Sequence, residues 1–312
     1  MDKLLSVLKP QEITNLKLRY LYESLGYKEY KMSSFEEYRF YLESSSYLFR
    51  NAVITFTDLD GRLLALKPDV TPSIAKHADG AELKVYYQEN VYRPDRNKRS
   101  FKEIGQIGLE YMGQIEQAAV AEVVAIAAKS LKLIASDSLL EIGHCGFVDG
   151  LLELCNLDVA VLSELQRLIA QKNVSGIEKL CDEAGIIKAH TDLLMAIPSL
   201  CGDSDKVIAR AKELCLTAKM NNAVKEIETI CQSVKAASEI CKVRVDLSLI
   251  GEEEYYNGIT FCGYINGIAA RVLSGGRYDP LLEKLGKKCG AVGFALYFDE
   301  LEQFYYDDRS DT

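Results

Sequence analysis

The chain has 312 residues, enough for one large domain or two unequal ones, and its 48% hydrophobic and 27% charged content is that of a globular protein. A net charge of -9 argues against gripping nucleic acid as the main task, while leaving room for a local basic patch. Nine scattered cysteines without a C-x-x-C pair read as buried thiols of a reducing compartment, and the three distant histidines form no ligand pattern, so neither a zinc site nor a cofactor is expected. The N-terminus has no signal-peptide core and no stretch approaches a membrane span, so a cytoplasmic location is expected.

In chain order, residues 11–26 read as an amphipathic helix with Ile13, Leu16, Tyr20, Leu21 and Leu25 on one face and Gly26 as its stop. Residues 52–57 (AVITFT) and Leu63 to Lys67 form a hairpin about the DLDG turn. The second strand runs into Asp69, whose carboxylate points out of the strand end, and Thr71-Pro72, where Thr71 is either a helix cap or a ligand contact. Residues 84–113 form a long hairpin with a basic tip at Arg96, Lys98 and Arg99. On its return arm the two-residue period puts Gln106, Gly108 and Glu110 on one face and Ile107, Leu109 and Tyr111 on the other. That polar face is either a floor that a small ligand can approach or a solvated edge.

Gln114 to Ala135 reads as a long buried helix and Leu139 to His144 as a strand. From about 150 to 235 the texture becomes helix upon helix, a helical insertion that divides a core made of 1–149 and 236–312. Strands are expected again at Val243–Ile250, Tyr256–Ile265 and Ile268–Leu273, then a tight glycine turn at Ser274 to Pro280 leading into a helix. A strand at Ala291–Leu296 and a short helix from Asp299 to Tyr305 follow. Arg277 and Asp279 suit an ion pair that shapes the turn, and Gly275-Gly276 lacks the pattern of a phosphate loop. The fold class is α+β, an antiparallel sheet flanked by helices.

Polar residues near strand ends form one group: Asp69, Thr71, Arg93, Gln106, Glu110, Tyr255 and Tyr256. Carboxylates for an ammonium, an arginine for a carboxylate, and amide and phenol groups for a polar side chain make the inventory of an amino-acid pocket. Nothing in it supplies an activated nucleophile. Aromatic packing is the alternative for Tyr255-Tyr256.

LALKPDVT (64–71), ENVYRPDRNKRSFKEIGQIGLE (89–110), EYYNGITFCGY (254–264), SGGRYDPLLEKLG (274–286) and AVGFALYFDEL (291–301) together resemble the catalytic core of histidyl-tRNA synthetases. The resemblance implies a class II synthetase-like fold, a dimer, and histidine contacts at the seven residues just named. It also implies losses. Gly251 stands near the place of an activating arginine, Glu300 replaces the arginine that holds ATP phosphates, and Ser33 replaces the proline of the first motif. Lys67 replaces an arginine, and Asp69 is one methylene shorter than the usual glutamate. With Thr312 following so closely, no anticodon-binding domain and no tRNA partner are expected.

A kept pocket beside lost adenylation residues resembles the regulatory subunits of ATP phosphoribosyltransferase. These are non-catalytic partners of a short catalytic chain, with histidine as effector. The alternatives are a truncated synthetase-like enzyme forming a histidyl adenylate and an orphan histidine sensor.

Overall fold

The computed structural model describes residues 7–43, 53–95, 99–251 and 256–307. Its centre is a nine-stranded sheet. The strands are β1 (Lys28–Glu29), β5 (Leu83–Asp95), β6 (Ser100–Gly113), β7 (Ser138–His144), β8 (Cys201–Asp203), β9 (Lys242–Asp246), β10 (Ile259–Ile265), β11 (Leu273–Arg277) and β12 (Gly290–Tyr297), in the spatial order β1-β5-β6-β12-β11-β10-β7-β9-β8. The middle of the sheet is antiparallel throughout, and parallel pairing occurs at β1 with β5 and at β7 with β9. A small sheet, β2 (Phe35–Glu37), β4 (Leu63–Leu66) and β3 (Thr55–Thr57), stands beside it. The α+β class is as expected.

One face of the large sheet is greasy, the other polar, because strand side chains alternate. Ile107, Leu109, Phe261 and Phe294 go to the greasy face, which α1 (Pro10–Ser24) and α4 (Gln117–Ile134) cover. The phase of α1 differs from the expected one. Thr14, Leu18 and Tyr22 are buried, whereas Tyr20 is 77% exposed and Leu16 50%. Tyr22 can go inside because its hydroxyl meets Ser130 Oγ at 3.1 Å, and its ring packs on Tyr86 and Phe294.

The helical stretch holds α6 (Val159–Ala170), α7 (Val174–Glu183), α8 (Lys188–Ala196), α9 (Ser204–Leu214) and α10 (Ala218–Ala236), preceded by α5 (Cys145–Leu152). One apolar core runs from the sheet through Phe147 and Leu151 to Leu165, Ile177 and Ile227. β8 pairs with β9, and α10 packs on α5 and α4. The nine cysteines are free thiols, six of them buried and Cys155, Cys201 and Cys215 partly so. Among the described residues no helix is long and apolar enough to cross a membrane.

Three strand expectations change. β9 stops at Asp246, because Asp246 Oδ1 takes both the Ser248 N–H at 2.9 Å and its hydroxyl at 2.6 Å, folding the chain away. No strand covers 268–272. The expected glycine turn at 274–277 is strand β11 itself. A Cβ on Gly275 would lie 2.5 Å from the Gly293 carbonyl and 2.6 Å from the Phe261 ring, so these glycines serve close packing inside the sheet. Gly275→Ala should therefore cost about 1–3 kcal/mol of stability in chemical denaturation, the range for overpacking a tight core. An unchanged midpoint would contradict that account.

Candidate functional site

The polar face of the sheet carries a trough over β6, β12 and β11. Its neighbours are α3 (Thr71–Ala75) and α11 (Asp279–Lys284), which share a smaller core of Val70, Ile74, Tyr87, Leu281 and Leu282. The cavity is small, about 50 Å³, and open to solvent at its mouth. Asp69, Thr71, Arg93, Gln106, Glu110 and Tyr256 all line it. Tyr255 lies outside the described residues, as do Arg96 and Lys98 of the hairpin tip.

Glu110 sits at the inner end, 2% exposed. Thr71 Oγ1 donates to its Oε1 at 2.7 Å, and the Tyr278 hydroxyl donates to Oε2. Burial pushes its carboxyl up to about 8, against the pull of those two hydrogen bonds and with a further push from Asp69. Thr71 is therefore not the helix cap. Val70 holds that position, and the Thr71 hydroxyl is spent on the carboxylate.

Arg93 is held at the rim, its Nε 2.7 Å from the Pro68 carbonyl and its guanidinium 2.8 Å from Asp69 Oδ2. Asp69 Oδ1 also accepts the Thr71 N–H at 3.2 Å. The strand end, the start of α3 and the hairpin arm are thus one charged corner. Gln106 is 2% exposed and lines the cavity. An amide on a cavity wall offers a polar ligand both a donor and an acceptor.

Gly108 does not serve as expected. A Cβ there would lie 2.2 Å from the Tyr87 ring, so the glycine admits a tyrosine and leaves no bare floor for a ligand. Gly276 admits Tyr256 in the same way, at 2.6 Å. Tyr87, Ser274, Tyr278, Gly293 and Tyr297 line the cavity and were not in the sequence-derived group. Tyr278 could have been found from its place inside SGGRYDP, between Arg277 and Asp279. Those two form the expected ion pair, Nε to Oδ2 at 2.8 Å. Lys67 is fully buried against Glu89 at 2.6 Å and faces structure, not the cavity.

A second cavity on the same face holds Glu141 with Arg244 and Asp246 with Lys172. Glu141, Cys201 and Asp246 bring donor atoms within 4.8 Å of one another, but both carboxylates are already taken by those cations.

The fold defines a class II synthetase-like chain with a polar trough on one face of its sheet. The histidyl-tRNA synthetase family model matches residues 6–301. An ATP phosphoribosyltransferase regulatory subunit from Thermoanaerobacter sp. (strain X514) is 33% identical over 288 residues, covering 90% of this chain and 74% of that one. A crystal structure of an ATP phosphoribosyltransferase regulatory subunit/histidyl-tRNA synthetase from Bacillus halodurans superposes with a TM-score of 0.82 at 28% identity, over 94% of this chain and 78% of that one. The ATP phosphoribosyl transferase (HisG:HisZ) complex from Thermotoga maritima contains a chain of the same fold, with a TM-score of 0.71 at 19% identity, over 91% of this chain and 96% of that one. The chain belongs to the histidyl-tRNA synthetase family, and within it to the ATP phosphoribosyltransferase regulatory subunits.

Glu110 gives the site a pH signature. The unfolded carboxyl loses its proton near 4.5 and the folded one near 8, so between those values the folded state binds more protons and stability falls as pH rises. Glu110→Gln should flatten that fall, by up to about 1.4 kcal/mol per pH unit. Denaturation curves of both proteins at pH 5 and pH 8 measure it; identical slopes would place the Glu110 proton elsewhere.

Proposed function

We propose that this chain is the non-catalytic regulatory subunit of ATP phosphoribosyltransferase, needed by the short catalytic chain for activity and for feedback by histidine in the first step of histidine biosynthesis. It acts in the cytoplasm, as a dimer within a hetero-oligomer. Residues 150–235 are an insertion into the core formed by 1–149 and 236–312.

The observation that carries the ligand is that Asp69, Thr71, Arg93, Gln106, Glu110 and Tyr256 line one cavity together. In this reading the histidine carboxylate lies toward Arg93 and Gln106, its ammonium toward Asp69 and Thr71, and its imidazole toward Glu110 and Tyr256. An imidazole N–H suits Glu110, because it would add a donor beside Thr71 and Tyr278 to a carboxyl that burial holds toward its protonated form. Loss of catalysis follows from Glu300 and Gly251. A glutamate repels a triphosphate, and Gly251 has φ +76° with the Tyr256 ring 2.6 Å from where its Cβ would be, a place that an arginine could not enter unchanged. Histidine would regulate by binding one assembly better than another, and a coupling of roughly 1–3 kcal/mol is enough for useful feedback.

The test is co-purification with the short catalytic chain and assay of ATP and phosphoribosyl pyrophosphate turnover. The expected result is stimulation by this chain, reversed by histidine. No stimulation would favour an orphan histidine sensor, and histidine-dependent pyrophosphate exchange with ATP by this chain alone would make it an enzyme. Asp69→Asn should weaken histidine binding about 10-fold or more in calorimetry, since a hydrogen bond to a charged group is worth about 1.5–3 kcal/mol, and leave the catalytic chain's own turnover intact.

A further inference from the structure

The trough has a shape that its polar residues alone do not explain. On its face of β12 the side chains are Gly293, Ala295 and Tyr297, opposite Glu110, Gly108 and Gln106 of β6. On the other side Gly293 and Ala295 meet Gly276 and Ser274 of β11. Gly293 cannot be larger, because the Glu110 carboxylate occupies the space of its Cβ at 1.7 Å. Tyr87 over Gly108 and Tyr256 over Gly276 make the two long walls. Along β12 the floor stays small until Tyr297, the first large side chain on that face and itself part of the lining. Tyr297 lies four positions along the strand from Gly293, about 13 Å at the usual rise of about 3.3 Å per residue.

Charge is arranged along the same axis. Burial raises the Tyr297 phenol's pKa, with Arg93 and Arg271 close enough to oppose that shift and Asp69 close enough to add to it. Arg271 also reaches Cys262 Sγ at 3.8 Å, one strand away from Ser274. Both arginines therefore lie toward the Tyr297 end, Arg93 with its partner Asp69, and the buried Glu110 carboxyl lies at the other.

We propose that Tyr297 is the end wall of this trough and a specificity-determining residue: it admits a free α-amino acid and excludes one extended at its carboxyl group. A ligand lying with its carboxylate toward Arg93 and Gln106 has its next atom directed at the Tyr297 ring. An ester or peptide bond there removes the charge that the arginines receive and adds atoms where the phenol stands. The cleft is thereby a sensor of the free amino acid only. This rests on the reading that the trough takes histidine.

The full chain titrated with L-histidine and with the dipeptide L-histidyl-glycine separates the two claims. The wild type should bind histidine and take the dipeptide at least 10-fold more weakly. Tyr297→Ala should bring the two within about threefold, and Tyr297→Phe, which keeps the bulk, should preserve the gap. Tyr297→Leu carries the same test if the alanine variant does not fold. Equal binding of both ligands by the wild type, or an undiminished gap in the alanine or leucine variant, overturns the end wall while leaving the histidine reading standing. No histidine binding by the wild type overturns the histidine reading and this inference with it. Failure of both shortened variants to fold assigns position 297 to stability and ends the proposal.

Discussion

A carboxylate taken out of water is costly unless its oxygens are bonded, and Glu110 has one hydroxyl on each. That arrangement draws four elements to one point. β6 carries the carboxylate, the start of α3 brings Thr71, the start of α11 brings Tyr278, and β12 yields by having glycine at 293. Replacing the carboxylate by an apolar group would strand the two hydroxyls, at about 1–3 kcal/mol for each buried unpaired group. The pocket is thus partly a by-product of how α3 and α11 are fastened to the sheet.

The retained residues line the trough, whereas Gly251 and Glu300 do not, Gly251 lining the second cavity instead. Those at the inner end, Glu110, Thr71 and Tyr278, are interlocked and serve the fold whatever else they do. Outside the trough, Lys67 is a buried tie to Glu89, and Asp299 at the start of α12 (Phe298–Asp307) accepts the Gly105 N–H at 3.0 Å and faces Lys102 at 3.2 Å. An acidic helix start now clamps the return arm of the hairpin.

The hairpin, the long buried helix and six of the cavity-lining residues could be read from the sequence because strand period, helix period and five motifs in order all pointed the same way. The phase of α1 could not, since Tyr22 is tolerated inside by a hydroxyl on Ser130, 108 residues later. Nor could β11. A strand written Ser-Gly-Gly-Arg has no apolar alternation, and its glycines are explained only by Phe261, Gly293 and Tyr256, which the sheet brings against them. Tyr87 escaped for the same reason, since it owes its place to Gly108 on the neighbouring strand. Tyr255 stays untested by geometry.

This division bears on what retention of a pocket means. Glu110, Thr71 and Tyr278 would persist under selection for folding alone, so their presence says little about a ligand. Gln106 is different. Its side chain lines the cavity without the pair of hydroxyls that fastens Glu110, so fastening does not account for it in the same way. Arg93 is intermediate, because Asp69 and the Pro68 carbonyl already give it structural work. The outer half of the trough, with Gln106, Arg93 and Tyr297, therefore bears on a bound amino acid more than the inner half, where the hydrogen bonds are densest.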